Sequence, residues 1–130
     1  MLVTLAYVSR SNIGGDLGKL IALQNECVAS NRERDVSGVL YYDGEYFFQV
    51  LEGNYQTVKD LYDRICRDDR HDECRTLINM TMLERRFASY PMKIINAIAN
   101  PCMSSQVVPN ILANPQPEVV QRKIRELVYA

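Results

Sequence analysis

The sequence predicts an α+β fold, on three observations. Short segments of strand-like composition recur along the chain, two segments between them carry apolar residues at helical spacing, and Asp43-Gly44 stands where a hairpin turn belongs. Residues 2–9 form the first strand, with Val3, Leu5, Tyr7 and Ser9 on one face and Leu2, Thr4, Ala6 and Val8 on the other. Ser11-Asn12-Ile13-Gly14-Gly15 breaks that alternation. Asp16 can then cap a helix whose apolar positions Leu17, Leu20, Ile21, Cys27 and Val28 lead to an end near Ser30 and Asn31. Residues 36–42 and 45–52 make the hairpin, and Gly53-Asn54 turns into a second helix striped by Val58, Leu61, Tyr62 and Ile65. The polar end of that helix runs into Arg67-Asp68-Asp69-Arg70-His71-Asp72, and residues 76–83 and 91–97 read as the fourth and fifth strands.

The order β-α-β-β-α-β-β lets each helix return the chain across one sheet. Two helices on one face of such a sheet make a split βαβ, ferredoxin-like arrangement with one added strand. The other face needs a cover, and the tail offers one. After a loop around Asn100-Pro101 come a short helical stretch over 105–113 and a stronger helix over 118–129, with Val119, Ile124 and Leu127 or Val128 apolar. The Asn114-Pro115-Gln116-Pro117 break separates the two, and both could instead bind another subunit. Residues 1–97 are therefore expected to form one domain, with 98–130 a C-terminal helical extension that packs on the sheet or on a partner.

The bulk properties narrow the function. A chain of 130 residues, 47% apolar and 24% charged, supports one ordinary domain and is too short for a sensor joined to a separate catalytic domain. Its formal net charge of −1, with both signs interspersed, gives no footprint for nucleic acid or an anionic membrane. Cys27, Cys66, Cys74 and Cys102 form no CxxC pair, and His71 is the single histidine, so no metal set is expected. The first residues lack a basic stretch followed by a long apolar run, so neither signal peptide nor membrane span is expected, and cytoplasmic free thiols follow.

Gln49 is the residue that asks for an explanation. It is one amide within the apolar strand Tyr46-Phe47-Phe48-Gln49-Val50-Leu51, where burial without partners costs about 1 to 3 kcal/mol. Tyr7 on the first strand is expected across the sheet from it, and Asn31 near the end of the first helix can face the same cavity edge. Taken singly, each has an ordinary reading: Asn31 a helix cap, Tyr7 a strand aromatic, Gln49 an edge residue.

Together they match a family. Tyr7 within Leu5-Ala6-Tyr7-Val8-Ser9, Asn31 before Asp35-Val36-Ser37-Gly38-Val39-Leu40-Tyr41-Tyr42, the segment Phe47-Phe48-Gln49-Val50-Leu51-Glu52-Gly53, and Asp68-Asp69-Arg70-His71 resemble, in order and separation, the BLUF family of blue-light sensors using flavin. The resemblance covers roughly residues 1–97. It implies that Tyr7 and Gln49 are the photoactive pair beside the flavin ring, that Asn31 bonds the ring's polar edge, and that Met92 is the strand-five methionine near Gln49. It further implies that Arg64, Asp68, Arg70 and His71, grouped at the second helix end, contact the flavin tail and ring edge. Many family members carry Trp two positions before the methionine, whereas this chain has no tryptophan and places Tyr90 there.

The implied function is a non-enzymatic blue-light photoreceptor that binds FAD noncovalently, with FMN or riboflavin as alternatives. Light would rearrange the Tyr7–Gln49–flavin hydrogen bonds and signal to a separate downstream protein or to the chain's own oligomer, a dimer or larger. The rival readings are a nonphotochemical ligand-binding or dimerisation module and a small ferredoxin-like hydrolase. For the hydrolase, Arg70 and Asn31 could position a phosphate, but no phosphate-cradling glycine loop follows the first strand.

Overall fold

The strands β1 (Leu2–Ser11), β2 (Ser37–Tyr42), β3 (Tyr46–Asn54), β4 (His71–Thr81) and β5 (Lys93–Asn96) make one sheet in the order β4-β1-β3-β2-β5. This computed structural model describes residues 1–14, 16–88, 92–97 and 107–128. Tyr90, the Asn100-Pro101 loop, Cys102 and the first residues of the expected tail helix fall outside them. Neighbouring strands are antiparallel except β2 and β5, which run parallel. The expected α+β, ferredoxin-like sheet is present, with β5 the added strand beside β2.

The helices are α1 (Leu17–Glu33), α2 (Tyr55–Arg67), α3 (Val107–Ala113) and α4 (Pro117–Val128). Strand alternation splits the apolar residues into two cores. Val3, Leu5, Tyr7, Leu40, Phe47 and Leu51 cluster with residues of α1 and α2, while Ala6, Val8, Tyr41, Phe48 and Val50 cluster with residues of α3 and α4. The tail thus joins the second core through Val107, Val108, Ile111, Val120, Ile124 and Leu127; Val120, and not Val119, carries the buried stripe of α4.

Three local features differ from the sequence reading. On α1 the buried line is Leu20, Leu23 and Asn31, with Cys27 partly buried beside it, whereas Leu17 and Ile21 are exposed. A 100° step per residue carries Ile21 off that line. Next, β4 starts at His71, not Thr76. Helix α2 stops at Arg67 because Asp68 takes an extended backbone and its Oδ1 accepts from the Arg70 amide at 2.9 Å, so the chain turns and pairs His71 with Ser11. Arg70 and His71 therefore belong to a turn and a strand start and not to the helix end. Two register irregularities against β1, and Glu73 at φ 51°, hide the strand's alternation.

Two buried features hold β2, β3 and the β4–β5 connection together. A Cβ on Gly38 would lie 1.8 Å from the Val50 carbonyl oxygen, so only glycine lets the strands approach this closely. Glu52 is fully buried. Its Oε1 accepts from Ser37 Oγ at 3.0 Å and the Phe87 amide at 2.9 Å, and its Oε2 from the Arg86 amide at 2.8 Å. Arg85 closes the network by donating to Ser37 Oγ at 3.0 Å and to the Asp35 carbonyl at 2.7 Å. The carboxylate so pins the start of the connection that leads on to Met92.

Candidate functional site

The β1–β3 register sets Tyr7 directly opposite Gln49, both on the face covered by α1 and α2. Tyr7 is 0% and Gln49 2% exposed, so water cannot serve either polar tip. They serve each other, Tyr7 Oη donating to Gln49 Oε1, while Gln49 Nε2 donates to Met92 Sδ at 3.8 Å. A thioether only accepts whereas a phenol accepts or donates, so Met92 fixes which end of the amide is the nitrogen. Rotating the amide would set an oxygen against sulfur, yet Tyr7 could still bond the nitrogen. Burial raises the Tyr7 pKa well above that of a free phenol, so its proton stays on oxygen.

Beside this pair lies a cavity of about 270 Å3 between α1, α2 and the sheet. Leu23 from α1, Leu61 and Ile65 from α2 and Leu40 from β2 give it apolar surfaces, and Asn31, Gln49, Arg64, Asp68, Arg70 and His71 also line it. Six of the eight residues singled out in the sequence thus meet at one cavity, and Tyr7 and Met92 touch it through Gln49. Asn31 is 2% exposed and is not the cap of α1, which is Arg34.

His71 is buried, with its Nδ1 2.9 Å from Ser9 Oγ and its ring 4.6 Å from that of Phe47. Burial lowers its pKa to about 4, so at neutral pH it is an uncharged imidazole that can donate through one nitrogen and accept through the other. Arg70 is clamped by two carboxylates. Its Nε and Nη2 donate to Asp68 Oδ1 and Oδ2 at 2.9 and 2.6 Å, and its Nη1 lies 2.8 Å from Glu26 Oε2. The Arg70 bond holds Asp68 down at about 2. Arg64, exposed on α2, makes no ion pair among the described residues.

The sequence reading missed Glu26, Cys27 and Ser30 as lining residues. With Leu23 and Asn31 they fall three, four, seven and eight residues along one helix face, a spacing that is visible in the sequence. Burial pushes the Cys27 thiol up to about 11, which leaves it neutral. Tyr62, read from the sequence as part of the apolar stripe of α2, also packs on the Tyr7–Gln49 pair, its ring centroid 5.1 Å from that of Tyr7. Among the described residues no group of His, Cys, Asp and Glu is placed to hold a metal, and no helix is long and apolar enough to cross a membrane.

Residues 2–93 match the family described as sensors of blue light using FAD, BLUF. The chain is 35% identical over 101 residues to the blue light- and temperature-regulated antirepressor BluF of Escherichia coli, an alignment covering 74% of this chain and 24% of that protein. It therefore spans about a quarter of the length of that relative. Among solved structures, one described as the BlsA ground state superposes with a TM-score of 0.82 at 28% identity, covering 100% of this chain and 89% of the other. A second, described as a dark-state structure of the BLUF protein BlrB, has a TM-score of 0.82 at 24% identity over 95% of this chain and 94% of the other, a likeness of fold.

Proposed function

The chain belongs to the BLUF family of blue-light sensors, and we propose that Tyr7, Gln49 and Met92 form its photoactive line, with FAD held in the adjoining cavity. The observation that carries this reading is the hydrogen-bonded run from Tyr7 through Gln49 to Met92 along one side of a cavity with aliphatic surfaces. The donor set fits a flavin: Leu23 and Leu61 offer apolar surface to a flat ring, the Asn31 and Gln49 amides and His71 offer donors and acceptors to its polar edge, and Arg64 and Arg70 offer guanidinium donors to a phosphate-bearing tail. Bound there, a flavin would supply blue-light absorption and a transient oxidant for a neighbouring phenol.

The environment of Tyr7 constrains the light-driven step. Tyr7 does not release its proton ahead of its electron, because a phenolate in that buried position is disfavoured; once the electron leaves, the proton moves along the existing bond to Gln49 Oε1. A protonated or rotated Gln49 no longer presents the same amide end to Met92, and the contact at 3.8 Å changes. Two amide arrangements of unequal bonding then make the two-state element, and Met92, just before β5, carries the difference out of the cavity. The output is light-dependent association, with a separate protein or with further copies of the chain.

The test is a spectrum before and after blue illumination of the purified protein, with the bound flavin identified by mass. The expected result is bound FAD and a reversible red shift of several nanometres, lost in Gln49→Leu while flavin still binds. A Gln49→Leu variant with an unchanged light response would refute the assignment; FMN or riboflavin as the bound species would refute the choice of FAD alone.

A further inference from the structure

We propose that Cys66 and Cys74 form a redox-active dithiol, a site that closes to a disulfide bridging α2 to β4 when a small-molecule disulfide of the glutathione class oxidises it.

The placement follows from the periods of a helix and a strand. Thr76 Oγ1 donates to Tyr62 Oη at 2.9 Å, which fixes one point of α2 over one point of β4. From there Cys66 lies four residues on along α2, about 6 Å of helix rise, and Cys74 two residues back along β4, about 6.6 Å of strand. The two steps match in length, and both lead towards the turn over 68–70 that joins α2 to β4. The thiols accordingly come near one another: after burial, the neighbouring Cys66 thiol is what raises the pKa of Cys74. Closing that contact to the roughly 2.05 Å of a disulfide involves the last turn of a helix and a strand at the sheet edge.

The two sulfurs differ in environment, which orders the chemistry. Cys66 is exposed and meets the oxidant first. Burial pushes the Cys74 thiol up to about 12, so it stays a thiol towards outside reagents. The Cys66 thiolate attacks one sulfur of the small disulfide and expels the other half as a thiolate. Cys74 then loses its proton and attacks the Cys66 sulfur, expelling the second half. Two electrons and two protons pass from the cysteine pair to the small disulfide, which ends as two thiols.

The position gives the bridge a consequence. Tyr62 stands between the pair and Tyr7, with ring centroids 5.1 Å apart, and Arg64 and Asp68 flank Cys66 on the segment that lines the cavity. A bridge would tie this segment to the sheet. This consequence rests on the photoreceptor reading; formation of the bridge does not.

The experiment incubates the full chain with oxidised glutathione, then maps disulfides by mass spectrometry and follows the light response. The expected result is loss of two hydrogens from the intact mass, a peptide pair linking Cys66 to Cys74, and no lasting glutathione adduct on either. Cys74→Ser should instead trap the adduct on Cys66. Wild type should show a dark-recovery time that differs between oxidised and reduced protein, a difference lost in Cys66→Ser. A stable adduct on wild-type Cys66 with Cys74 still free would overturn the proposal. A mapped bridge in a chain without any light response would uphold the dithiol and count against the photoreceptor reading alone.

Discussion

Lowering the pH from 8 to 4.5 should destabilise the fold through one residue, His71, by about 2.5 kcal/mol. An imidazolium at this position would be enclosed beside the Phe47 and Tyr7 rings, and burial lowers its pKa from 6.5 to about 4. In the unfolded chain the same side chain takes up a proton near pH 6.5. Between those values the unfolded state binds the extra proton, so the contribution is fully present above about pH 6.5 and drains away as pH falls towards about 4. Each unit of that window is worth about 1.4 kcal/mol, and the two units down to pH 4.5, less the part offset by folded His71 that already takes up a proton there, give the figure above. Asp68 does not confuse the comparison, because its pKa is lowered from 3.8 to about 2 and its own loss falls below the window. The assay is urea unfolding of wild type and His71→Gln at both pH values, the variant keeping hydrogen-bonding capacity without the titration. His71 is the single histidine, so one imidazole resonance in a proton NMR titration reports the midpoint directly. A midpoint near 6.5, or equal pH dependence in the two proteins, would refute the reasoning.

Three further outcomes are expected from the buried network and the surface. Glu52→Ala removes the acceptor of two backbone amides and the Ser37 hydroxyl, and should lower unfolding free energy by about 3 kcal/mol or more, read from the urea midpoint. Gly38→Ala forces β2 and β3 apart at the Val50 carbonyl and should cost about 2 kcal/mol or more by the same assay; a stability equal to wild type would mean that the strands separate freely there. Leu83→Asp, at a fully exposed side chain just beyond β4, should change stability by less than about 0.5 kcal/mol, so a larger loss would show that this leucine is covered in solution.

Much of the fold was legible because its signals are local. A period of two in β1 assigned Tyr7 and Val8 to opposite faces, and the Asp43-Gly44 turn fixed the β2–β3 register, in which Leu40 stands opposite Gln49. Asp43 holds that turn by accepting from the Glu45 and Tyr46 amides at 3.0 and 2.8 Å. The pairing of Tyr7 with Gln49 followed from strand order, itself set by two helical crossovers. Glu52 was not legible as a network centre, since its partners lie 15 to 35 residues away in sequence and two of them are backbone amides that leave no mark in a side-chain pattern.

The run Arg67 to Asp72 shows where local signals stop. Six consecutive charged or polar side chains read as a solvated helix end, and nothing among them announces a turn and the start of a strand. What decides the conformation is Asp68, which commits both carboxylate oxygens to Arg70 while its neighbour His71 pairs with Ser11 across the sheet. The partner that then turns Arg70 towards the cavity is Glu26, on the far wall and in another helix. A charge run gains a direction only when tertiary contacts supply counter-charges on one side, so these residues could be nominated from the sequence but oriented only in the fold.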